Sequence, residues 1–221
     1  MSATACPHAG GRSYECLSED ETVTELSKYG LWAVVAGGSE GVGAEFARQL
    51  AAAGINLVLI ARKPGPLTET ADSCRALGVE ARTLTMDLVA ADAVGQIADA
   101  SSDLEVGLLI YNAGANTCSE HFLDGELSEF ARVIDLNINS MLALVQHFGR
   151  PMRERRRGGI LMVGSMAGYL GSMRHTVYGG VKAFGRIFAE SLWLELRDYD
   201  VDVLELVLGT HKFMEKLMGS R

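Results

Sequence analysis

Short runs of apolar residues alternate with longer stretches of helical periodicity along most of this chain. The runs are rich in Val, Leu and Ile at consecutive positions, as is typical of parallel strands covered by helices on both faces. They predict six strands, at Trp32 to Ala36, Asn56 to Ala61, Glu80 to Leu84, Gly107 to Asn112, Gly159 to Gly164 and Asp202 to Leu208. Because strands and helices alternate strictly, and such crossovers are right-handed, the pattern predicts an α/β fold with a doubly wound parallel sheet.

Amphipathic segments fill the gaps between these strands. Five helices are predicted, at Val42 to Ala53, Pro66 to Leu77, Asp92 to Ser101, Ser128 to Gly149 and His175 to Arg197. A shorter helix over Glu21 to Lys28, ended by Gly30, precedes the first strand. Residues 1–21 have no periodicity and predict a mobile leader, so we expect one domain over residues 22–221.

The composition narrows the possible functions. The 221 residues are 48% hydrophobic and 22% charged, enough for one substantial core but short for two full domains. A formal net charge of -8 argues against a nucleic-acid-binding protein, because neutralising phosphates requires a clustered basic surface. The basic run from Arg153 to Arg157 is short and is interpreted as a solvated helix end.

The sequence predicts a cytoplasmic protein without a membrane span or a metal site. No apolar stretch approaches the roughly 20 residues of a spanning helix, and no basic segment followed by an apolar one opens the chain. Its four cysteines are scattered without a CxxC pair, which favours free thiols in a reducing compartment. Cys6 and His8 lie close together, but no second ligand pair follows them.

A glycine-rich turn joins the first strand to the first long helix. It consists of Gly37, Gly38, Ser39, Glu40, Gly41, Val42 and Gly43. Glycines allow a tight turn and close approach of the backbone to a pyrophosphate, while the following helix N-terminus offers free N–H groups and a positive dipole end. A turn of this kind is also compatible with a purely structural corner; its place after the first strand favours a nucleotide phosphate.

The end of the second strand bears on the choice between NAD and NADP. An acidic residue there would bind the ribose 2′-hydroxyl, but this segment ends in Arg62 and Lys63. Arg62, aided by Lys63, is suited to a 2′-phosphate, so NADP(H) is favoured over NAD(H). Surface charges ending a strand are the alternative, and Glu40 nearby counts against a phosphate.

Tyr178 and Lys182 form the candidate reactive pair. They are four residues apart on one predicted helix and therefore share a face. An ammonium near a phenol lowers the phenol pKa from about 10, so Tyr178 becomes a usable acid or base. Ser165 follows a predicted strand at its carboxyl end, where it could donate to a substrate carbonyl. Two alternatives are that Tyr178 and Lys182 have this spacing by chance, and that Ser165 caps a helix or turn.

Five motifs in order resemble the classical short-chain dehydrogenase/reductase family, over about residues 30 to 209. Residues 36–43 (AGGSEGVG) resemble its TGxxxGxG, and residues 111–114 (YNAG) resemble its NNAG, with tyrosine replacing the first asparagine. Residues 86–88 (MDL) match its adenine-contacting segment, Asn137 its helix asparagine, and Ser165 with Tyr178 and Lys182 its remaining reactive residues. The resemblance implies a Rossmann fold in three αβα layers.

The resemblance also implies roles for individual residues. Ser165 would polarise the carbonyl, Tyr178 would transfer the proton, Lys182 would tune Tyr178 and hold the nicotinamide ribose, and Asn137 would hold a water-linked proton path. Asn139 is the alternative to Asn137. The cofactor would contact Gly37, Ser39, Glu40, Gly41, Val42, Gly43, Asp87, Leu88, Asn112, Ala113, Gly114, Tyr178 and Lys182, besides Arg62 and Lys63.

Within the family the chain resembles the branch of 3-oxoacyl-CoA reductases and 17β-hydroxysteroid dehydrogenases. This suggests a bulky apolar carbonyl or alcohol substrate, such as a 3-oxoacyl thioester or a ketosteroid. In this family the helices that carry Asn137 and Tyr178 pair between subunits, so a homodimer or homotetramer is expected. The apolar spacing from Lys212 to Met218 predicts a docking helix or C-terminal remnant.

The resemblance ends early. After Gly209 only twelve residues remain, whereas relatives continue with a substrate-covering segment, a further helix and a seventh strand. Either part of the substrate lid is lacking, or a segment after Gly209 is absent from the sequence. The short C-terminus motivates an alternative from another class: a catalytically inactive dinucleotide-binding sensor or scaffold.

Overall fold

Six parallel strands form the centre of the computed structural model, which describes residues 26–209. The strands are β1 (Trp32–Ala36), β2 (Asn56–Ala61), β3 (Ala81–Thr85), β4 (Val106–Tyr111), β5 (Gly158–Ser165) and β6 (Val201–Leu208). They lie in the order β3-β2-β1-β4-β5-β6, and every neighbouring pair is parallel. The chain therefore reverses its direction of winding between β1 and β4, where a doubly wound sheet opens a crevice at the carboxyl ends of its strands.

Helices cover both faces of this sheet. They are α1 (Gly41–Ala52), α2 (Pro64–Arg75), α3 (Ala93–Ala100), α4 (Leu127–Ile134), α5 (Ser140–Glu154) and α6 (Thr176–Leu196), with a π-helical turn at Asp135–Asn139. Short 3₁₀ turns lie at Ser27–Tyr29, Met166–Gly168 and Arg197–Tyr199. The predicted doubly wound Rossmann fold in three layers is confirmed.

Alternate residues of the central strands supply two separate cores. Val34 and Ala36 of β1 are buried with α3, α5 and α6 on one face. Ala33 and Val35 of the same strand are buried with α1 and α2 on the other face. Because successive side chains of a strand point to opposite faces, a nearly continuous apolar strand is needed to fill both layers.

The predicted strands are confirmed, with shifts of one residue at several ends. β1 and β2 have the predicted bounds, whereas β5 and β6 start one residue earlier than predicted. Ser165 is the last residue of β5 and not the residue after it, because the pairing of Ser165 with Leu208 extends the ladder to that point. The shift keeps Ser165 at the carboxyl edge of the sheet.

The single helix predicted over Ser128 to Gly149 was wrong in two respects. The segment is divided into α4, the π turn and α5, and the helix continues past Gly149 and Pro151 to Glu154. Met152 is fully buried, so packing of the last turn outweighs the hydrogen bond that Pro151 removes. The inserted residue of the π turn does not disturb the apolar periodicity enough to be seen in the sequence.

Two predictions at the chain ends lie outside the described residues: the leader with Cys6 and His8, and the helical tail from Lys212 to Met218. Of the short helix predicted over Glu21 to Lys28, only the end is described, and it leads into the Ser27–Tyr29 turn. Between residues 26 and 209 no helix is long and apolar enough to cross a membrane. That same stretch contains no group of three His, Cys, Asp or Glu side chains that could hold a metal ion.

Candidate active site

The glycine-rich turn after β1 approaches its neighbours too closely for side chains. Gly37 has φ +83°, and a Cβ atom at Gly43 would lie 1.9 Å from the Gly37 carbonyl oxygen. The same atom would lie 2.5 Å from the Asn112 side-chain nitrogen, which donates to that carbonyl over 2.9 Å. The turn, the start of α1 and the end of β4 are therefore held together where only glycine fits.

The N-terminus of α1 faces the crevice without a side-chain cap. Glu40 precedes the helix in extended conformation, and its carboxylate makes no hydrogen bond to the first turn. The first N–H groups of a helix have no intrahelical partners, and its dipole leaves positive charge at this end. The arrangement suits an anionic group, as the sequence predicted.

A cleft of about 240 Å³ extends from this turn across the ends of β2 and β4. Ten of the predicted cofactor residues line it: Gly37, Ser39, Glu40, Arg62, Lys63, Asp87, Leu88, Asn112, Ala113 and Gly114. Ala115 and Leu136 also line it and were not predicted. Their position beside Gly114 and Asn137 in the sequence was the only signal. Gly41, Val42 and Gly43 form the first turn of α1 and are not among the residues that line this cleft.

The charges at the end of β2 are arranged differently from the simplest prediction. Lys63 lines the cleft and pairs with Glu40 across 2.8 Å, and both side chains are more than half exposed. Arg62 lines the cleft and has no hydrogen-bond or ion-pair partner among residues 26–209. The Lys63 ammonium offsets the negative charge of Glu40, which would otherwise repel a phosphate. The exposed Arg62 guanidinium then adds positive charge at this end of the cleft.

Asp87 is held at the far wall of this cleft. Its side chain accepts from the Val89 N–H at 3.3 Å and lies 3.4 Å from the Arg132 guanidinium. The sequence did not indicate Arg132, which lies 45 residues away on α4. This pair is half exposed, so its main effect is to orient the carboxylate.

A second cleft, of about 560 Å³, opens beside the first at the end of β5. Ser165, Tyr178 and Lys182 line it together, although they come from β5 and α6. Asn112 and Gly114 line both clefts, so the two adjoin at these residues. The fold thus brings the predicted reactive residues to the end of the predicted nucleotide cleft.

Lys182 is buried on the inner face of α6, with only 8% of its surface exposed. Its Nζ donates to the Val163 carbonyl over 2.9 Å and lies 5.7 Å from the centre of the Tyr178 ring. Burial lowers the pKa of Lys182 to about 8, and the nearby Glu205 carboxylate partly offsets this effect. The ammonium is therefore close to its titration range at physiological pH.

Ser165 makes a structural contact and is also partly exposed in the cleft. Its Oγ accepts from the Ala167 N–H at 3.2 Å and caps the Met166–Gly168 turn, so the capping alternative holds. An accepted hydrogen bond leaves the hydroxyl proton free to donate into the cleft. The two interpretations are compatible.

His175 is a cleft residue that the sequence analysis named only as a helix start. It lies three residues before Tyr178, and the two ring centres are 6.1 Å apart. Its ring nitrogen Nδ1 is 3.1 Å from the Met173 carbonyl oxygen. The i, i+3 spacing to Tyr178 was the available signal.

Asn137 is 4% exposed and lies in the π turn. Its side-chain nitrogen donates to the carbonyls of Ala115 and Val133, each at 2.9 Å. Its Oδ1 is buried and has no hydrogen-bond partner within the described part of the chain. Asn139, the alternative, is exposed and donates to Asp135 at 2.7 Å, so Asn137 is the residue that faces the site.

Comparison with known proteins agrees with this arrangement. The short chain dehydrogenase family matches residues 31–215. A very-long-chain 3-oxoacyl-CoA reductase from Laccaria bicolor is 34% identical over 199 residues, which cover 88% of this chain and 58% of that protein. The chain thus spans little more than half the length of this relative.

Solved structures resemble the described fold closely. A 7β-hydroxysteroid dehydrogenase superposes with a TM-score of 0.80 at 29% identity, covering 86% of this chain and 75% of that one. A Sphingobium yanoikuyae short-chain dehydrogenase in complex with NADPH gives 0.77 at 28% identity, covering 81% and 71%. An NAD⁺-bound xylitol dehydrogenase gives 0.75 at 26%, covering 84% and 74%. With the family match and the sheet order, these likenesses establish that the chain belongs to the short-chain dehydrogenase/reductase family of oxidoreductases.

Proposed function

We propose that this chain is an NADP(H)-dependent oxidoreductase that interconverts a carbonyl and an alcohol, with Asn137, Ser165, Tyr178 and Lys182 as its reactive residues. One observation carries the proposal: Ser165, Tyr178 and Lys182 line a cleft that adjoins the glycine-rich nucleotide cleft at Asn112 and Gly114. A dinucleotide lying along the first cleft would end with its nicotinamide at the second.

The residues present fit a dinucleotide. Close backbone contacts exclude side chains at Gly37 and Gly43, so the backbone of the turn can approach a pyrophosphate. Helix α1 begins in the same turn and directs its N-terminus to that place. Asp87 and Leu88 would hold the adenine end, while Tyr178 and Lys182 would hold the nicotinamide ribose. Asn137 Oδ1 is a buried acceptor that has no hydrogen-bond partner within residues 26–209, which suits a bound water.

When bound, the cofactor supplies or accepts a hydride, and side chains of the protein donate or accept the proton. Ser165 Oγ donates to the carbonyl oxygen of the substrate and polarises it. Tyr178 gives its phenolic proton to that oxygen during reduction and takes it back during oxidation. The Lys182 ammonium stabilises the phenolate, and Asn137 holds a water through which the proton is replaced.

The preference for NADP(H) rests on Arg62. Its guanidinium lines the cleft and has no partner in the described stretch from residue 26 to 209, while Lys63 pairs with Glu40. Structures similar to this chain carry either NADPH or NAD⁺, so family membership leaves the choice open. The local charge favours the 2′-phosphate.

The proposed substrate is a bulky apolar ketone or alcohol, such as a 3-oxoacyl thioester or a ketosteroid. Leu170, which is 73% exposed, lines the second cleft, and Met173, which is 76% exposed, lies three residues further along the same segment between β5 and α6. Apolar side chains exposed around a polar reaction centre favour an apolar substrate. The named relatives act on substrates of this kind.

The paired surfaces of α5 and α6 support a homodimer or homotetramer. A groove of about 520 Å³ between them is lined by Leu142, Val145, Phe188 and Leu192. Ile187 and Trp193 add exposed apolar surface on α6. Sedimentation of the purified chain would check this: a monomer at micromolar concentration would contradict the proposal.

Turnover and cofactor binding, measured on the same protein, test the proposed reaction. The chain is assayed for NADPH oxidation with 3-oxoacyl-CoA esters and ketosteroids, beside Tyr178→Phe, which removes only the phenolic hydroxyl. We expect turnover to fall at least about 100-fold in the variant because the proton donor is lost. NADPH binding, followed by tryptophan fluorescence, should persist in the variant, because the other residues of the nucleotide cleft are intact. Binding without turnover across the whole panel would instead favour the sensor or scaffold.

A further inference from the structure

Tyr111 lies at the last position of β4, where the family motif has asparagine. The residue is 3% exposed and stands in register with Ala36 of β1 and Met162 of β5. Its hydroxyl donates to the backbone carbonyl of Leu136, 25 residues further along the chain. Leu136 immediately precedes Asn137, so a central strand is bonded directly to the turn that carries a proposed reactive residue.

The turn itself is unusual. Asp135–Asn139 forms a π-helical turn, and both the backbone N–H and the hydroxyl of Ser140 donate to the Asp135 carbonyl. The Ser140 hydroxyl is also 2.9 Å from the Leu88 carbonyl in the nucleotide cleft. Helix residues follow one another by about 100°, so relaxation to a regular helix would turn Asn137 away from its present direction.

We propose that Tyr111 is a positioning residue: its hydroxyl holds the Leu136 carbonyl and thereby keeps the π turn that directs Asn137 Oδ1 towards Gly114 and Lys182. The inference rests on the reactive role proposed for Asn137. Burial raises the pKa of Tyr111 far above its usual range, with Ser140 partly offsetting the effect, so the hydroxyl stays protonated and remains a donor. The aromatic ring alone would fill the same volume, so the hydroxyl is the informative group.

Tyr111→Phe removes this hydroxyl and keeps the ring. Tyr29→Phe is the matched control, because Tyr29 donates to Asp202 over 2.7 Å at the opposite end of the sheet. The first measurement uses the cofactor-free protein with isotope-labelled asparagine and follows the side-chain amide signal of Asn137, assigned with Asn137→Ala. We expect the signal to shift and its protons to exchange faster in Tyr111→Phe but not in Tyr29→Phe.

The second measurement is a double-mutant cycle on ketone reduction. We expect Tyr111→Phe to lower kcat about five-fold, the effect of one lost hydrogen bond, with KM for NADPH unchanged. In an Asn137→Ala background the same substitution should change kcat less than two-fold, because Tyr111 acts through Asn137. An equal loss of kcat in both backgrounds would overturn the proposal.

The two measurements separate this inference from the proposed function. Unmoved Asn137 signals in Tyr111→Phe overturn the role of Tyr111 whether or not the protein turns over a ketone. If the Asn137 signals shift in Tyr111→Phe but kcat is unchanged, the proposed role of Tyr111 is overturned as well. If Tyr111→Phe does not fold, Ser140→Ala loosens the same turn, and it must move the Asn137 signals for the proposal to stand. If Asn137→Ala is fully active, the reactive role of Asn137 fails, and the positioning proposal fails with it.

Discussion

The side-chain oxygen of Asn137 and the ammonium nitrogen of Lys182 face the same small space beside Gly114. A Cβ atom at residue 114 would lie 2.5 Å from Asn137 Oδ1 and 2.6 Å from Lys182 Nζ. Both distances are too short for a Cβ atom, so a side chain at residue 114 would displace one of these two groups, of which one is an acceptor and the other a donor. A bound water there would connect the two side chains, as the proposed proton path requires.

Filling this space should impair the reaction. We expect Gly114→Ala to lower kcat by about 100-fold, because its methyl group displaces the water and pushes Asn137 and Lys182 apart. Gly95→Ala is the control, since a Cβ atom at Gly95 on α3 meets nothing within 4 Å. Steady-state kinetics and thermal unfolding are measured on both. Full activity in Gly114→Ala would remove the case for a water at this point.

The reduction rate should depend on the charge of Lys182. Burial lowers the pKa of Lys182 to about 8, so the ammonium is charged below this pH and neutral above it. Because the charge stabilises the phenolate that forms as Tyr178 donates its proton, kcat/KM for ketone reduction should fall as the pH rises through about 8. This ratio reports ionisations of the free enzyme. A flat profile between pH 7 and 9 would contradict the assignment.

Glu205 should influence the pH at which kcat/KM for ketone reduction falls. Its carboxylate raises the pKa of Lys182, and a Cβ atom on Gly164 would lie against its Oε1. Arg186 is the other charged group that acts on Glu205. Removing the carboxylate charge favours neutral lysine, so Glu205→Gln should move the fall in kcat/KM to lower pH. Glu195→Gln, which removes an exposed carboxylate from the last turn of α6, should leave the profile unchanged.

Arg62 should decide between the two dinucleotides. Arg62→Ala is expected to weaken NADPH binding by about 10- to 100-fold, the usual effect of losing a hydrogen bond to a charged group, and to leave NADH binding unchanged. Arg48→Ala removes the same charge from an exposed pair with Glu45 on α1 and should affect neither cofactor. Fluorescence titration measures all four affinities. An equal loss for NADPH and NADH in Arg62→Ala would refute the contact with the 2′-phosphate.

Much of the site could be predicted because its signals are local in sequence. Gly37, Gly41 and Gly43 lie within one turn, so their spacing alone indicates a tight approach of backbone to a ligand. Tyr178 and Lys182 are four residues apart, and helical geometry puts them on one face. The apolar runs of β1 and β2 also predicted their bounds correctly, because burial on both faces requires continuous apolar residues.

Other features depend on residues that are distant in sequence. Lys63 pairs with Glu40 across 23 residues, which changes the charge presented to a phosphate. Tyr111 reaches Leu136 across 25 residues, and the π turn it contacts leaves Asn137 inside the site and Asn139 outside. No periodicity encodes such contacts, because they exist only once strands and helices are packed together.

The sequence by itself determined the α/β alternation, the glycine turn and the spacing of the Tyr–Lys pair, since each follows from backbone geometry over a few residues. Only the tertiary structure decided that Lys63 pairs with Glu40, that two backbone carbonyls hold the Asn137 side chain, and how far burial lowers the pKa of Lys182. The physical reason is that desolvation and long-range hydrogen bonds act between groups that the chain brings together only when it folds.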